Sequence, residues 1–342
     1  MLPTSATHGA NSSSPPRVSG EASLISGNAL LTVKGRFPSS DESAREFFSE
    51  ILHRNWSRIE NLNIEIHKMG SISDDLVRKI WYPISEPSKA LKVFQVSNFG
   101  CAQPLSTHDR LFGDVAPKLW SFRCLGAEHT TFINAPWLVQ LRLLDVNGPL
   151  EASPPLSMWL EQLRSMPQLE SLSLREAFSA IEESEISSIS LPIVQLPQLS
   201  DLTLCHELFP VAVFLGHIHA PPQCRLRVVI TNCQMPLSSP GTSMIHRNLS
   251  AYAKLWKSHT LNFTVTYQKV LLRQDSLHRK YHPLFEIIFF PDNAGDFSRI
   301  FTCLNAFPPS DLVHITTLNL QMTQKMQSRY RYSKLSRLTS QH

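Results

Sequence analysis

Apolar residues recur along this chain in one eight-residue pattern that is written four times. The pattern is Pro-x-Leu-x-x-Leu-x-Leu, and its copies begin at Pro117, Pro136, Pro167 and Pro197, with Phe and Cys replacing two leucines in the first copy. Self-similarity at intervals of roughly 20–30 residues is typical of a solenoid, in which each repeat contributes one supersecondary unit. Such a unit buries its apolar side chains only against the neighbouring units.

Looser copies of the pattern lie on both sides of these four. Residues 59–64 and 91–96 have the same spacing, and residues 315–320 are a further candidate. Because alternate side chains of a strand point to opposite faces, the leucines of each copy should point inward. We therefore predict one buried row that consists of Leu62, Phe94, Phe122, Leu141, Leu172 and Leu202.

The Leu-x-x-Leu-x-Leu core is that of a leucine-rich repeat, so the predicted fold is α/β. We expect a leucine-rich-repeat solenoid with a curved parallel sheet and irregular helical or loop returns. Residues 1–38 should form a flexible N-terminal segment, in which residues 29–33 could add a short strand. Residues 39–320 should form the repeat domain, most regular over 59–230, and residues 321–342 a basic C-terminal tail.

Helical spacing indicates several elements between and after the repeats. A helix should begin at Ser39 and turn Phe47, Phe48, Ile51 and Leu52 to one face. Further helices are predicted over 156–166, 244–256 and 297–304, and the short return before Pro136 should be loop or 3₁₀. Strands are predicted over 226–230, 261–267 and 284–290.

Composition narrows the class of protein. The chain has 342 residues, of which 42% are hydrophobic and 18% charged, too apolar for a disordered chain. No apolar run reaches the ~20 residues that cross a bilayer, and no secretory signal is evident, so we expect a cytoplasmic or nuclear protein and no membrane partner. The six cysteines form no Cys-x-x-Cys pair and should be reduced thiols.

Candidate chemistry is sparse in this sequence. It contains no glycine-rich phosphate loop, no Gly-x-Ser-x-Gly and no His-Glu-x-x-His. His217, His219, Cys224 and Cys233 lie close in sequence, but the spacing of the two histidines would point them apart on a helix. We therefore expect no enzyme activity, no metal site and no cofactor.

The outward positions of the repeats suggest a partner-binding surface. Alternation places Arg123 and Arg142 in the same register on adjacent strands and turns Leu144 outward. A shallow basic stripe of this kind could accept a carboxylate or phosphate of a partner. The alternative is solvated arginines that are balanced by acids such as Asp145. The candidate contact residues are Arg123, Gln140, Arg142, Ser171, Ser173, Arg175 and Thr203.

Several phrases of the chain resemble a known family. They are Leu91-Lys-Val-Phe-Gln-Val-Ser-Asn98, Ala116-Pro-Lys-Leu-Trp-Ser-Phe122, Leu196-Pro-Gln-Leu-Ser-Asp-Leu-Thr-Leu204 and the closing phrase from Phe214 to Leu226. Together they resemble the leucine-rich-repeat region of F-box proteins from mushroom-forming (basidiomycete) fungi. The resemblance implies a substrate receptor, in which an F-box holds the Skp adaptor of a cullin ubiquitin ligase and the repeats hold the protein to be ubiquitylated.

An F-box of the expected kind is not evident before the first repeat. We therefore expect a Skp adaptor as a partner only if a fuller form of the chain carries that box. The main hypothesis is a non-enzymatic protein-interaction module that serves as a ubiquitin-ligase substrate receptor. The alternative is a nucleic-acid-associated protein that acts through the basic C-terminal segment, whose binding would weaken steeply with salt. We do not otherwise expect nucleic acid as a partner.

Overall fold

A twelve-stranded sheet organises the chain. The computed structural model describes residues 29–37, 42–66, 79, 82–98, 110–125, 132–148, 153–179, 191–231, 260–265, 270–274, 285–289 and 317–322. Its strands are β1 Leu31–Phe37, β2 Ile59–Ile66, β3 Val93–Asn98, β4 Ser121–Leu125, β5 Leu143–Asn147, β6 Ser171–Arg175, β7 Val194–Gln195, β8 Asp201–His206, β9 Ile218–His219, β10 Arg225–Ile230, β11 Thr260–Val265, β12 Val270–Gln274, β13 Phe285–Phe289 and β14 Thr317–Met322. β7 and β9 form a separate two-stranded pair.

Nine strands of the large sheet are parallel, in the order β1-β2-β3-β4-β5-β6-β8-β10-β13. From β1 to β10 the strands of this sheet follow one another in sequence order, with β7 and β9 left out, and β13 lies next to β10. Beyond β13 the strands follow in the order β12, β11 and β14, so the sequence order is reversed for β12 and β11. Strand β12 is antiparallel to both β13 and β11, and β14 is parallel to β11. The predicted α/β class and parallel sheet are confirmed.

In the described part of the chain, three helices have defined bounds: α1 Glu42–Asn55, α2 Leu156–Arg164 and α3 Leu208–His217. The predicted helices near 39–52 and 156–166 are confirmed, but Phe47 is 58% exposed, so its place on the buried face of α1 was wrong. Helix α3 was not predicted. Every residue from Leu208 to Leu215 is buried, so the segment has no polar face and its hydrophobic residues show no helical periodicity. None of the helices in the described ranges is long and apolar enough to cross a membrane.

The remaining elements are 3₁₀ turns and the strands that follow β9 in sequence. The 3₁₀ turns among the described residues are Trp56–Arg58, Leu111–Asp114 and Pro136–Gln140. The strands predicted near 226–230, 261–267, 284–290 and 315–320 correspond to β10, β11, β13 and β14, whereas β12 was not predicted. Strand β1 lies inside the segment assigned as N-terminal, so the sheet begins before the predicted domain boundary. The helices predicted over 244–256 and 297–304, Cys233 and most of the basic tail lie outside the described residues.

The inner face of the sheet carries the core. Strand pairing aligns one continuous buried row of apolar side chains, which consists of Val33, Leu62, Phe94, Phe122, Leu144, Leu172, Leu202 and Leu226. Buried residues of the three helices belong to the same hydrophobic cluster. Five of the six residues predicted for this row are confirmed, and the sixth, Leu141, is wrong.

The error at Leu141 is a shift of three residues in the repeat that follows Pro136. Strand β5 pairs Phe122 with Leu144 and Leu144 with Leu172, so Leu144 points inward rather than outward. Leu141 is also buried, but it precedes the strand. Two Leu-x-x-Leu frames overlap here, one at Leu138 and Leu141 and the other at Leu141 and Leu144. The first frame forms the Pro136–Gln140 turn instead of a strand, and in this turn Leu141 N–H bonds to the Leu138 carbonyl at 3.1 Å.

Aromatic side chains interlock the first half of the core. Phe94 stacks on Phe122 with ring centroids 5.3 Å apart, and Phe122 in turn meets Trp137 at 5.0 Å. Phe132 contacts both Phe122 and Trp159 of α2. Because the strand and return residues of several successive repeats share this cluster, they cannot pack independently of one another.

Candidate protein-interaction surface

The open face of the sheet, opposite the core, carries a polar row that crosses all twelve strands. Register pairing aligns one polar side chain from each strand, which we call the central row: Lys34, Asn63, Gln95, Arg123, Asp145, Ser173, Thr203, Arg227, Glu286, Arg273, Asn262 and Asn319. Neighbouring members are separated by the distance between strands, about 4.8 Å. The row is therefore a continuous surface of hydrogen-bonding groups.

Opposite charges pair across neighbouring strands of this face. Arg123 Nε lies 2.9 Å from Asp145 Oδ2, and Arg227 Nε lies 2.8 Å from Glu286 Oε2. At the edge of the sheet, Arg36 Nε lies 2.7 Å from Glu65 Oε2. Two further pairs join Arg142 to Glu170 and Arg225 to Asp201. Directly opposed unlike charges stabilise a strand pair only modestly, so these contacts contribute little to the stability of the sheet.

The predicted basic stripe does not have the predicted register. Arg123 lies opposite Asp145, not Arg142, because the same three-residue shift moves Arg142 to the position just before β5. The alternative expectation, in which an acid such as Asp145 balances an arginine, is correct for Arg123, and Asp145 lies on β5. Among the described residues, the positive charges of Arg123 and Arg142 therefore each have a carboxylate partner.

The seven predicted contact residues fall into three groups. Arg123, Ser173 and Thr203 share the central row. Ser171 and Arg175 lie on either side of Ser173 on the open face of β6. Arg142 precedes its strand, and Gln140 lies in the 3₁₀ turn, where its Nε2 donates to the Ala116 carbonyl. The structure thus brings five of them onto one face and places two at its edge.

Asp145 is the most enclosed charge of the central row and is only 8% exposed. Its ion pair with Arg123 is held by charge rather than by an aligned hydrogen bond, since the Arg123 Nε–H finds no acceptor in hydrogen-bond geometry. The Asp145 Oδ1 and the Ser173 Oγ on the next strand also have no hydrogen-bond partner among the described residues. A carboxylate so placed depends on its neighbouring cation, because an unpaired buried charge is costly.

A second row lies at the start of the strands and was missed by the sequence reasoning. Backbone hydrogen bonds of 2.7–3.0 Å link its members from one repeat to the next, and we call it the start row: Glu60, Lys92, Trp120, Arg142, Glu170 and Ser200. Trp120 is 42% exposed. The sequence does contain a sign of this row, because Trp120 is a large apolar residue at a position of the repeat that should face solvent.

His206 and Cys205 lie on opposite faces of β8. His206 is fully buried, stacked on Phe178 with centroids 4.5 Å apart, and its Nδ1 accepts the Glu207 backbone N–H at 2.8 Å. Its Nε2 lies 2.7 Å from the Phe178 carbonyl, so this nitrogen carries the proton. Burial lowers the pKa of His206 and keeps it neutral. Burial and the nearby Glu176 raise the pKa of Cys205, so these adjacent residues do not form a nucleophile–base pair.

The histidines and cysteine weighed as metal ligands have other contacts. His217 Nδ1 lies 2.7 Å from the Val213 carbonyl, and His219 Nδ1 lies 2.8 Å from Gln195 Nε2. Burial raises the pKa of Cys224 to about 12, which disfavours the thiolate that a metal would need. Within the described ranges, no group of three or more His, Cys, Asp or Glu side chains could hold a metal ion.

Comparison with known proteins adds no further constraint on this surface. The sequence matches no family model, and no curated protein is significantly similar to it. Among the described residues, this surface presents paired charges, hydroxyls and amides on the open face and the exposed Trp120 at its edge.

Proposed function

We propose that this chain is a leucine-rich-repeat solenoid whose open sheet face binds another protein, and that it acts as a non-enzymatic interaction module. The observation that carries the proposal is the central row, which places a polar side chain on each of the twelve strands on the face opposite the core. In stacked-repeat proteins the extended concave surface is the usual binding surface. Protein interfaces carry on the order of ten direct hydrogen bonds, and the aligned polar side chains of this face offer donors and acceptors for them.

The turn that leads into each repeat strand supports the solenoid. Leu119 N–H bonds to the Ala116 carbonyl at 3.1 Å, and the same bond recurs from Leu169 to Met166 and from Leu199 to Leu196. The second residue of each turn is a proline, whose fixed φ suits that position. The same local chemistry therefore recurs together with the same register, as expected of a repeat unit.

The resemblance to fungal F-box proteins supports a more specific role. On that basis the bound protein would be a substrate that is delivered to a cullin ubiquitin ligase through a Skp adaptor. The adaptor would bind an F-box carried by a fuller form of the chain, and the repeats would hold the substrate.

Affinity purification with cross-linking and mass spectrometry tests the interaction module. The full chain should recover a defined protein whose cross-links fall on the open face. Thr203→Arg introduces bulk and charge on the central row and should reduce recovery at least tenfold. Gln198→Arg makes a similar change on the exposed turn before β8 and is the matched control. Equal recovery by both variants, with cross-links elsewhere, would contradict the proposal.

A further inference from the structure

Three residues of the start row directly precede the neighbouring strands β3, β4 and β5: Lys92, Trp120 and Arg142. The backbone N–H groups of Trp120 and Ser121 bond to the Lys92 carbonyl at 3.0 and 3.2 Å. Those of Arg142 and Leu143 bond to the Trp120 carbonyl at 2.8 and 3.0 Å. Trp120 therefore has a cationic residue on each side, in the direction that crosses the strands.

Trp120 differs from the other described tryptophans. Trp56, Trp137 and Trp159 are buried, and the indole N–H groups of Trp56 and Trp159 donate to backbone carbonyls at 2.8 and 2.7 Å. Trp137 Nε1 has no hydrogen-bond partner among the described residues, so the property that sets Trp120 apart is its exposure of 42%. Tryptophan is among the residues most enriched at the energetic centres of protein interfaces, because it combines a large apolar area with a donor.

The cations on either side of Trp120 are each held in an exposed ion pair. Lys92 Nζ lies 2.8 Å from Glu60 Oε2, and Arg142 Nε lies 2.8 Å from Glu170 Oε1. Glu60 lies on β2 and Glu170 precedes β6, so each carboxylate is one strand farther from Trp120 than the cation that it pairs with. The residues directly beside Trp120 are therefore the two cations. Exposed pairs of this kind contribute little to stability and can exchange partners. An incoming carboxylate on either side of the indole would therefore find a donor.

We propose that Lys92, Trp120 and Arg142 form a docking site for an acidic amphipathic helix of a partner protein. Lys92 and Arg142 are two strand spacings apart, about 10 Å at the backbone. In a helix, residues i and i+7 are separated by about 10.5 Å on one face, with i+3 and i+4 between them. Carboxylates at i and i+7 match the two cations, and an apolar side chain at i+3 or i+4 covers Trp120.

This inference rests on the proposed function and names the chemistry of its partner. The test is a phage-displayed library of helical peptides, randomised on one face and selected on the full chain. We expect enrichment of Asp or Glu at i and i+7 with an apolar residue at i+3 or i+4. Binding of the selected peptides should weaken at least about tenfold in Trp120→Ala, as for an interface anchor. It should also weaken in Lys92→Gln combined with Arg142→Gln.

Arg164→Gln is the matched control, because Arg164 is an exposed arginine of α2 that pairs with Glu161. It should leave peptide binding unchanged, and circular dichroism should show that all variants are folded. The inference is overturned if no peptide is enriched, if enriched peptides lack the acidic–apolar–acidic spacing, or if they bind Trp120→Ala as well as the parent. Recovery of a cross-linked protein partner at the open face would still support the proposed function in each of these cases.

Discussion

The inner face of the parallel sheet carries leucines and phenylalanines that are almost completely buried, whereas the open face carries polar side chains that pair across strands. Both faces are built from the same strands, since alternate residues of each strand point into the core and toward the open face. Burial of a leucine contributes about 1.5–3 kcal/mol, whereas an exposed ion pair contributes 0 to about 1 kcal/mol. The comparison indicates that the stability of the fold depends mainly on the inner rows, whereas the side chains of the open face can vary at little cost.

The largest expected effect tests which leucine of β5 belongs to the inner face. Leu144→Ala should lower the free energy of unfolding by about 2–5 kcal/mol, because it removes a fully buried side chain and leaves a cavity. Leu143→Ala, its neighbour on the open face, should cost less than about 1 kcal/mol. Denaturant unfolding of both variants measures the difference, and a larger cost at Leu143 would favour the register read from Pro136 instead.

An intermediate effect tests whether enclosure distinguishes positions within the open face. Arg123→Gln should cost about 1–2 kcal/mol, because it leaves the enclosed Asp145 carboxylate without its cation. Arg142→Gln breaks an ion pair whose side chains are 57% and 44% exposed, and it should stay within about 0.5 kcal/mol of the parent. Denaturant unfolding measures the midpoints of the two variants. Equal midpoints would show that enclosure does not distinguish Arg123 from Arg142.

The smallest expected effect concerns the buried polar residue of the inner face. The folded-state pKa of His206 lies below its ordinary value of 6.5, so the unfolded chain binds the proton more readily at acidic pH. The contribution of His206 is fully present above pH 6.5 and is lost as the pH falls below it. Between pH 7 and pH 6 the loss should be under about 1 kcal/mol.

The His206 contribution can be isolated with a variant that does not titrate. His206→Asn should lower the stability at all pH values, because it disrupts the stack on Phe178, but it should flatten the dependence between pH 7 and pH 6. Thermal unfolding across this range measures both effects. An unchanged slope in the variant would show that other groups cause the pH dependence.

Local chemistry explains why much of the sheet could be predicted. The recurring Pro-x-Leu turn and the alternation of Leu172 with Ser173 are properties of short segments, and they led to β4, β6 and β8 at the right positions. The same reasoning failed where two frames overlap, since both Leu138-Leu141-Leu143 and Leu141-Leu144-Val146 have the spacing of the pattern and the proline favours the first. The failure displaced part of the candidate surface, because the register of Arg142 depends on that choice.

By itself, the sequence determined that the chain forms parallel strands with buried leucine rows, because strand alternation and proline turns act over a few residues. Only the tertiary structure decided which leucine of the Pro136 repeat entered the row, because the choice depends on contacts of β5 with both neighbouring strands. It also decided the reversed order of β11, β12 and β13, the pairing of Arg123 with Asp145, and the exposure of Trp120 between Lys92 and Arg142. These features join residues that are distant in sequence, and no local pattern contains them.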